Sequence, residues 1–244
     1  YSPLDALNLA QRNPDEQVGF VGVGFETTTP LVAAAIKRAA ARGLENFSVF
    51  AAHKNMPGAL EAIVSDPRLK VDALILPGHV STIIGIKPYK FLAETYGVPG
   101  VITGFEPVDV LQGIAMIMRQ LHEGRSEIEI AYARGVMPQG NPVALAAIDE
   151  VFETCTATWR GLGDIPGSGY RIREQYARFD AVRRFSPEVE PTRDPKGCRC
   201  GDVLRGIMAP SECPLFRKVC TPENPVGPCM VSSEGSCAAY FRYY

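Results

Sequence analysis

Between residues 18 and 122 a short apolar run, a polar loop and a helix-forming stretch recur four times, and this alternation limits the fold more than any other feature. The runs are Val18 to Val23, Phe47 to Ala52, Asp72 to Leu76 and Gly100 to Thr103. They recur at intervals of roughly 25 to 30 residues, the length of one strand, one crossover helix and two loops. Such units connect by right-handed crossovers, so a parallel sheet is expected, with its ligands outside the carboxyl ends of the strands. Those ends carry this chain's unusual residues: Glu26, Thr27, Thr28, His53, His79, Ser81 and Glu106. One polar site assembled from four loops is the expectation.

Helix signals punctuate the pattern. Thr29 is placed to cap a helix that has Pro30 as its first residue and runs to about Arg42, with a further helix over 57–65 and another that follows the stretch Gly104 to Asp109 and runs to about His122. Ser2 and Pro3 mark another start, with Tyr1 read as the end of a strand. Asn141 and Pro142 open one more helix, running to about Phe152. From Thr154 onward regular periodicity fades and Gly, Pro, Arg and aromatic residues dominate. The expected organisation is a parallel-sheet, Rossmann-like α/β domain over residues 1–135, followed by a mostly irregular and helical, cysteine-rich domain over 136–244.

With 46% hydrophobic and 21% charged residues and a net charge of −2, the 244-residue chain has an ordinary globular composition. Bulk electrostatics therefore point to no nucleic-acid or membrane-surface partner. No apolar run approaches the ~18 residues of a membrane span, so the cytoplasm is the expected compartment.

The loop from Gly22 to Thr27 is close to a dinucleotide fingerprint, but Thr27 stands where the third glycine belongs. A tight strand-to-helix turn explains much of it, although three threonines and a glutamate exceed what one cap requires. His79 follows a buried strand and would face the same mouth as Glu26, which makes this pair the candidate catalytic or positioning groups. His53 has a similar place, His122 ends a helix where a cation suits the dipole, and Glu106 and Asp109 sit at a helix start that favours acids. Trp159 reads as a packing residue.

Six of seven cysteines crowd into the last fifth of the chain: Cys198, Cys200, Cys213, Cys220, Cys229 and Cys237. Zinc sites favour C-x2-4-C pairs, which this stretch lacks, Cys198-Arg199-Cys200 being too tight to count as one, and an odd total in a reducing compartment disfavours a disulfide set. Cys200, Cys213, Cys220 and Cys237 are spaced C-x12-C-x6-C-x16-C, which a cubane cluster can use, since its thiolates come from separate loops. Cys237 is expected at the serine-capped start of the closing helix, where backbone N–H groups favour a thiolate. Iron–sulfur, zinc and thiol redox chemistry all stay open at this point, and a nucleotide-binding α/β enzyme with a structural zinc module is the alternative reading.

Seven stretches in order resemble the HypD family of [NiFe] hydrogenase maturation proteins. They are Gly24 to Thr28, Pro77 to Ser81, Gly104 to Pro107 with Asp109 to Gly113, Trp159 to Gly163, Arg199 to Leu204, Glu212 to Phe216, and Met230 to Ala239. The resemblance implies two similar α/β domains and a C-terminal domain with a [4Fe–4S] cluster on Cys200, Cys213, Cys220 and Cys237. Cys198 and Cys229 fall outside that set, and Cys155 reads as a structural thiol. It also implies work with a HypC-type chaperone on an iron that becomes an Fe(CN)2CO unit, with cyanide from HypE charged by HypF, for delivery towards the hydrogenase large subunit. The family's N-terminal domain, with its Cys-Gly-Gly-His-Thr-His and Gly-Pro-Gly-Cys-Pro-Val-Cys motifs, has no counterpart in this sequence. On its own the chain is therefore expected to be incompetent for ligand assembly.

Overall fold

A computed structural model describes residues 2–188 and 195–244; the strand reading at Tyr1 lies outside them. The described residues divide into two compact units, each assembled from three stretches. The first holds 2–59, 73–157 and 166–188, and the second 60–72, 158–165 and 195–244.

The first unit opens with α1 (Pro3–Arg12), where Ser2 and Asp5 form a reciprocal capping box. Strand β1 (Val18–Gly24) leads into α2 (Thr29–Ala41), then β2 (Phe47–His53) into α3 (Met56–Val64). β1 and β2 pair in parallel from Val18 opposite Phe47 to Gly24 opposite His53. Then come β3 (Leu74–Pro77), α4 (Gly78–Ile84), α5 (Lys90–Glu94), β4 (Gly100–Thr103), α6 (Pro107–Glu123) and β5 (Ile128–Ile130). These strands form a second parallel sheet in the order β3-β4-β5. Helix α7 (Pro142–Val151) starts at Asn141, whose side chain accepts from the Val143 and Ala144 N–H groups.

The alternation is thus a mixed α/β structure with parallel sheets, as the periodicity requires, but with three departures. The strands form two ladders rather than one. The stretch from Gly78 is helical, because Pro77 ends β3 and no further breaker intervenes before Gly85. The cap of α2 is Thr28 rather than Thr29, with Pro30 still in the first turn.

Residues after 152 depart further. β6 (Phe152–Trp159) and β7 (Gly163–Ile172) form a two-stranded sheet where irregular chain is expected. From Glu153 on, β6 alternates half-buried and exposed positions, with Glu153, Cys155 and Ala157 half-buried and Thr154, Thr156 and Thr158 exposed. The signal is hidden because half its residues are polar. After α8 (Ala181–Phe185), the second unit adds α9 (Cys200–Leu204), α10 (Pro228–Val231) and α11 (Ser236–Tyr243). Among the described residues no helix is long and apolar enough to cross a membrane.

The core of the first unit joins Leu7 and Ala10 of α1, Val32, Ala33, Ile36 and Ala39 of α2, Phe47 and Val49 of β2, Ile148 and Val151 of α7, and Phe152, Ile172 and Phe179. Buried Asn46 ties the edge of this core together: its amide donates to the carbonyls of Ala10, Asn13 and Glu16 at 2.9, 2.9 and 2.8 Å. Asn46→Ala is expected to cost about 2 kcal/mol in denaturant unfolding, from the lost bonds and the stranded carbonyls. Asn46→Asp costs more, because a carboxylate then faces three carbonyl oxygens. A neutral result for both would show that the loop before β1 is held some other way.

Candidate functional site

The carboxyl ends of the strands in the first unit carry two groups of side chains. In the first, Glu26 sits just after β1 and is fully buried. Its Oε1 accepts from the Met56 N–H at 3.0 Å, and Oε2 has no partner among the described residues. Burial pushes its carboxyl up to about 7. Tyr89 and Tyr170 lie close enough to feel its charge, and both phenols are raised mainly by their own burial. The Ser81 hydroxyl bridges the Pro77 carbonyl at 2.7 Å and the Tyr89 oxygen at 3.3 Å. The loops after β1 and β3 therefore do converge, through a tyrosine that sequence reasoning missed. Tyr89 lies in a stretch between strands where no strand-end pattern points to it.

His53, the last residue of β2, is also buried, with both ring nitrogens unpartnered among the described residues. Its ring lies over Gly22, where any side chain would come within 2.6 Å of it, so the first glycine of the fingerprint-like turn serves ring packing. Desolvation lowers His53 to about 4. The threonines of the same turn are spent locally: Thr28 Oγ1 and Thr29 Oγ1 donate to the Phe25 carbonyl at 3.2 and 2.8 Å. That use favours the strand-to-helix turn over a phosphate cradle.

The second group surrounds His79, which is exposed at the start of α4. Its ring packs edge-on against Phe105 at 4.8 Å and Tyr132 at 6.2 Å. Arg134 stacks on Tyr132 and forks onto both Asp109 oxygens at 2.6 Å, with a further bond to Glu106 at 2.9 Å. The Arg134 hydrogen bond holds Asp109 down at about 2. Asp109 is thus the buried half of a bidentate pair as well as a helix-start acid. Arg134 carried no sequence signal beyond its place four residues past a short strand.

In the second unit, all six C-terminal cysteines line one small chamber, with Leu215, Phe216, Gly227 and Met230. The start of α9 presents Cys200, a turn closed by a bridge between Phe216 and Cys220 presents Cys220, and α10 and α11 present Cys229 and Cys237. A side chain at Gly227 would collide with the Cys198 sulfur. The turn between β6 and β7 brings Gly161 beside Cys200, which accounts for part of the Trp159–Gly163 motif.

The structure corrects three expectations here. Cys229 is no bystander, since it is buried in the chamber. It forms a disulfide with Cys200, their Cα atoms 6.2 Å apart. The closing helix is capped by Gly235 without a side-chain bond, while Ser232 accepts instead from the Glu234 N–H. The Cys237 thiol is pushed up to about 11, by burial and by the neighbouring Cys213, Cys220 and Cys198 sulfurs. Desolvation and crowding of like charges outweigh the pull of the helix start.

Only sulfur donors converge on this chamber, and their ionisation is opposed by one another, the situation that a bound soft cation relieves. The donor chemistry therefore fits an iron–sulfur group. As the described side chains stand, no three form a ready metal site. Cys200 is tied to Cys229, and the chamber has only about 10 Å³ of free volume.

Two measurements check these assignments. Denatured without reductant, the protein is expected to titrate five thiols, and seven after dithiol reduction; seven at the outset would remove the Cys200–Cys229 bond. The second is pH dependence. Glu26 is raised from 4.5 to about 7, so its contribution to stability is complete below 4.5 and is lost as pH rises towards 7. His53 is lowered from 6.5 to about 4, so its contribution is lost as pH falls from 6.5 towards 4. The two slopes oppose each other across their shared window. Glu26→Gln should leave the His53 slope alone, with stability rising by up to about 3 kcal/mol between pH 4 and 6.5. An unaltered pH profile would mean that Glu26 is solvated.

Comparison with known proteins places this geometry. The family model described as "HypD: Hydrogenase formation hypA family" matches residues 1–244. The "Hydrogenase maturation factor HypD" of Rhodobacter capsulatus is 52% identical over 248 residues, covering 100% of this chain and 66% of that protein. The protein of the same name from Cupriavidus necator is 48% identical over 250 residues, again covering 66% of its length. The "Hydrogenase expression/formation protein HupD" of Azotobacter chroococcum is 49% identical, with the same coverage. The chain spans about two thirds of the length of these relatives, and with its whole length matched it belongs to the HypD family.

Proposed function

We propose that this chain serves in the maturation of hydrogenase, and that its second unit is the iron–sulfur domain of a metallocofactor-assembly scaffold. The observation that carries the reading is the convergence of six cysteine sulfurs on one small, apolar chamber in a member of this family. Cys200, Cys213, Cys220 and Cys237 would hold a [4Fe–4S] cluster, which supplies one-electron chemistry when bound. The chain's own groups would do the rest. Phe216, Met230 and Leu215 keep water from the sulfurs, and the Val226 N–H donates to the Cys220 sulfur at 3.4 Å. Reduction of the Cys200–Cys229 bond by an external dithiol would free Cys200 to join the set.

In this reading the first unit is a Rossmann-like domain working with a HypC-type chaperone. An iron destined to become Fe(CN)2CO is the cargo, with HypE, charged by HypF, as the cyanide donor. Glu26 would hold a proton near the strand ends, while His79 with Phe105 would meet the partner. The names of the relatives, which give hydrogenase maturation or formation, support the class of process.

Metal and acid-labile sulfide analysis of anaerobically reconstituted protein tests the cluster. About four irons with matching sulfide per chain are expected. Cys213→Ser or Cys220→Ser should remove most of that iron, and Cys198→Ser should not. One zinc per chain without sulfide would sink the assignment.

A further inference from the structure

The turn that leads into β2 and the segment from Glu174 to Phe185 border a cleft of about 430 Å³ within the first unit. It is lined by Leu44, Glu45, Ala177, Arg178, Arg183 and Arg184. The volume falls in the range of small-molecule sites. Half of the lining is arginine in a chain whose net charge is −2, so the cleft is a local concentration of positive charge.

The three guanidiniums differ in what holds them. Arg183 is met by acids, bonding Glu174 at 2.6 Å with Asp180 at 3.7 Å. Arg178 and Arg184 form no ion pair with a carboxylate among the described residues. Arg178 donates to the Ala40 carbonyl at 3.4 Å and lies over the Phe179 ring at 4.7 Å. Arg184 donates to the Glu45 carbonyl and lies over the Phe185 ring at 5.6 Å. Each is thus held by one carbonyl and one ring, which reduces the rotamer freedom lost when a ligand binds. A guanidinium carries five N–H donors, so most of each fork is left for an anion.

The rest of the lining narrows the class of anion. Arg178 and Arg184 come from separate elements, the helical turn Glu174–Phe179 and α8, and meet at one cleft. A single fork fills a carboxylate's two oxygens, whereas a phosphate keeps an oxygen for the second fork. Leu44 and Ala177 add apolar wall that a bare inorganic ion leaves uncovered. Glu45 is exposed, also without an ion pair among the described residues, and repels an anion unless a hydroxyl donor lies between. We propose that this cleft binds a small organic phosphate, the monoester of a hydroxyl-bearing molecule such as a sugar. Arg178 and Arg184 take the phosphate, and Glu45 accepts from a hydroxyl. The cleft shares no residue with the cysteine chamber or the strand-end groups, so the assignment stands whether or not a cluster is bound.

Isothermal titration of this chain with ribose 5-phosphate, ribose and inorganic phosphate tests it. Saturable binding is expected for ribose 5-phosphate, weakening as salt is raised. Inorganic phosphate should bind at least about tenfold more weakly, and ribose more weakly still. Arg178→Gln should weaken ribose 5-phosphate at least about tenfold. Arg184 also ties the turn at Glu45, so Ala177→Asp is the companion variant. It leaves every arginine in place, sets a carboxylate in the cleft, and should abolish binding with circular dichroism and melting unchanged. Glu45→Gln should narrow the gap between the sugar phosphate and inorganic phosphate. Absence of saturable ribose 5-phosphate binding overturns the proposal, and so does binding that survives both Arg178→Gln and Ala177→Asp. Inorganic phosphate binding as tightly as ribose 5-phosphate overturns it as well.

Discussion

The first unit depends on burying a parallel ladder too narrow to stand alone. Two paired strands expose most of their surface, and β1 and β2 persist because α1, α2, α7 and the segment around Phe179 close over them. Alanine dominates the buried side of α2, at Ala33, Ala35 and Ala39, which lets the helix lie close to its neighbours. Glu26 and His53 are buried at the strand ends of the same unit. Both groups owe their shifted protonation to that burial, since desolvation is the leading cause in each case.

A similar economy shapes the second unit, with sulfur in place of alkyl groups. Its cysteines are brought together by short helices, a six-residue turn and the tip of the β6–β7 sheet rather than by an extended core. Phe216 anchors the cluster by edge contacts to Tyr240 at 6.0 Å and Phe241 at 5.9 Å. Arg217 lies over the same rings and donates to the Phe241 carbonyl. Close approach of thiols is costly when they ionise, which is why Cys237 is raised despite its place at a helix start.

Much of the fold was legible because parallel strands and their crossover helices leave long, regular periods. Strands β1, β2 and β4 and helix α7 follow such patterns closely. Strand β5 escaped because three residues make no period, and β6 escaped because its outward positions are threonines and its inward face begins with an acid. The site was legible by residue type but not by arrangement. Glu26 and Ser81 meet through Tyr89, and His79 meets Phe105 and Tyr132 apart from them; neither grouping follows from positions along the chain.

The sequence by itself determined the α/β class, the family resemblance and the set of chemically able residues, because these depend on local periodicity and on side-chain identity. Only the tertiary structure decided which of them share an environment. It buried Glu26 and left His79 in solvent. It drew Cys198 and Cys229 into the chamber with the expected four, and it paired Cys200 with Cys229. Burial and proximity are properties of packed surfaces, and packing joins residues whose separation along the chain carries no trace of the contact.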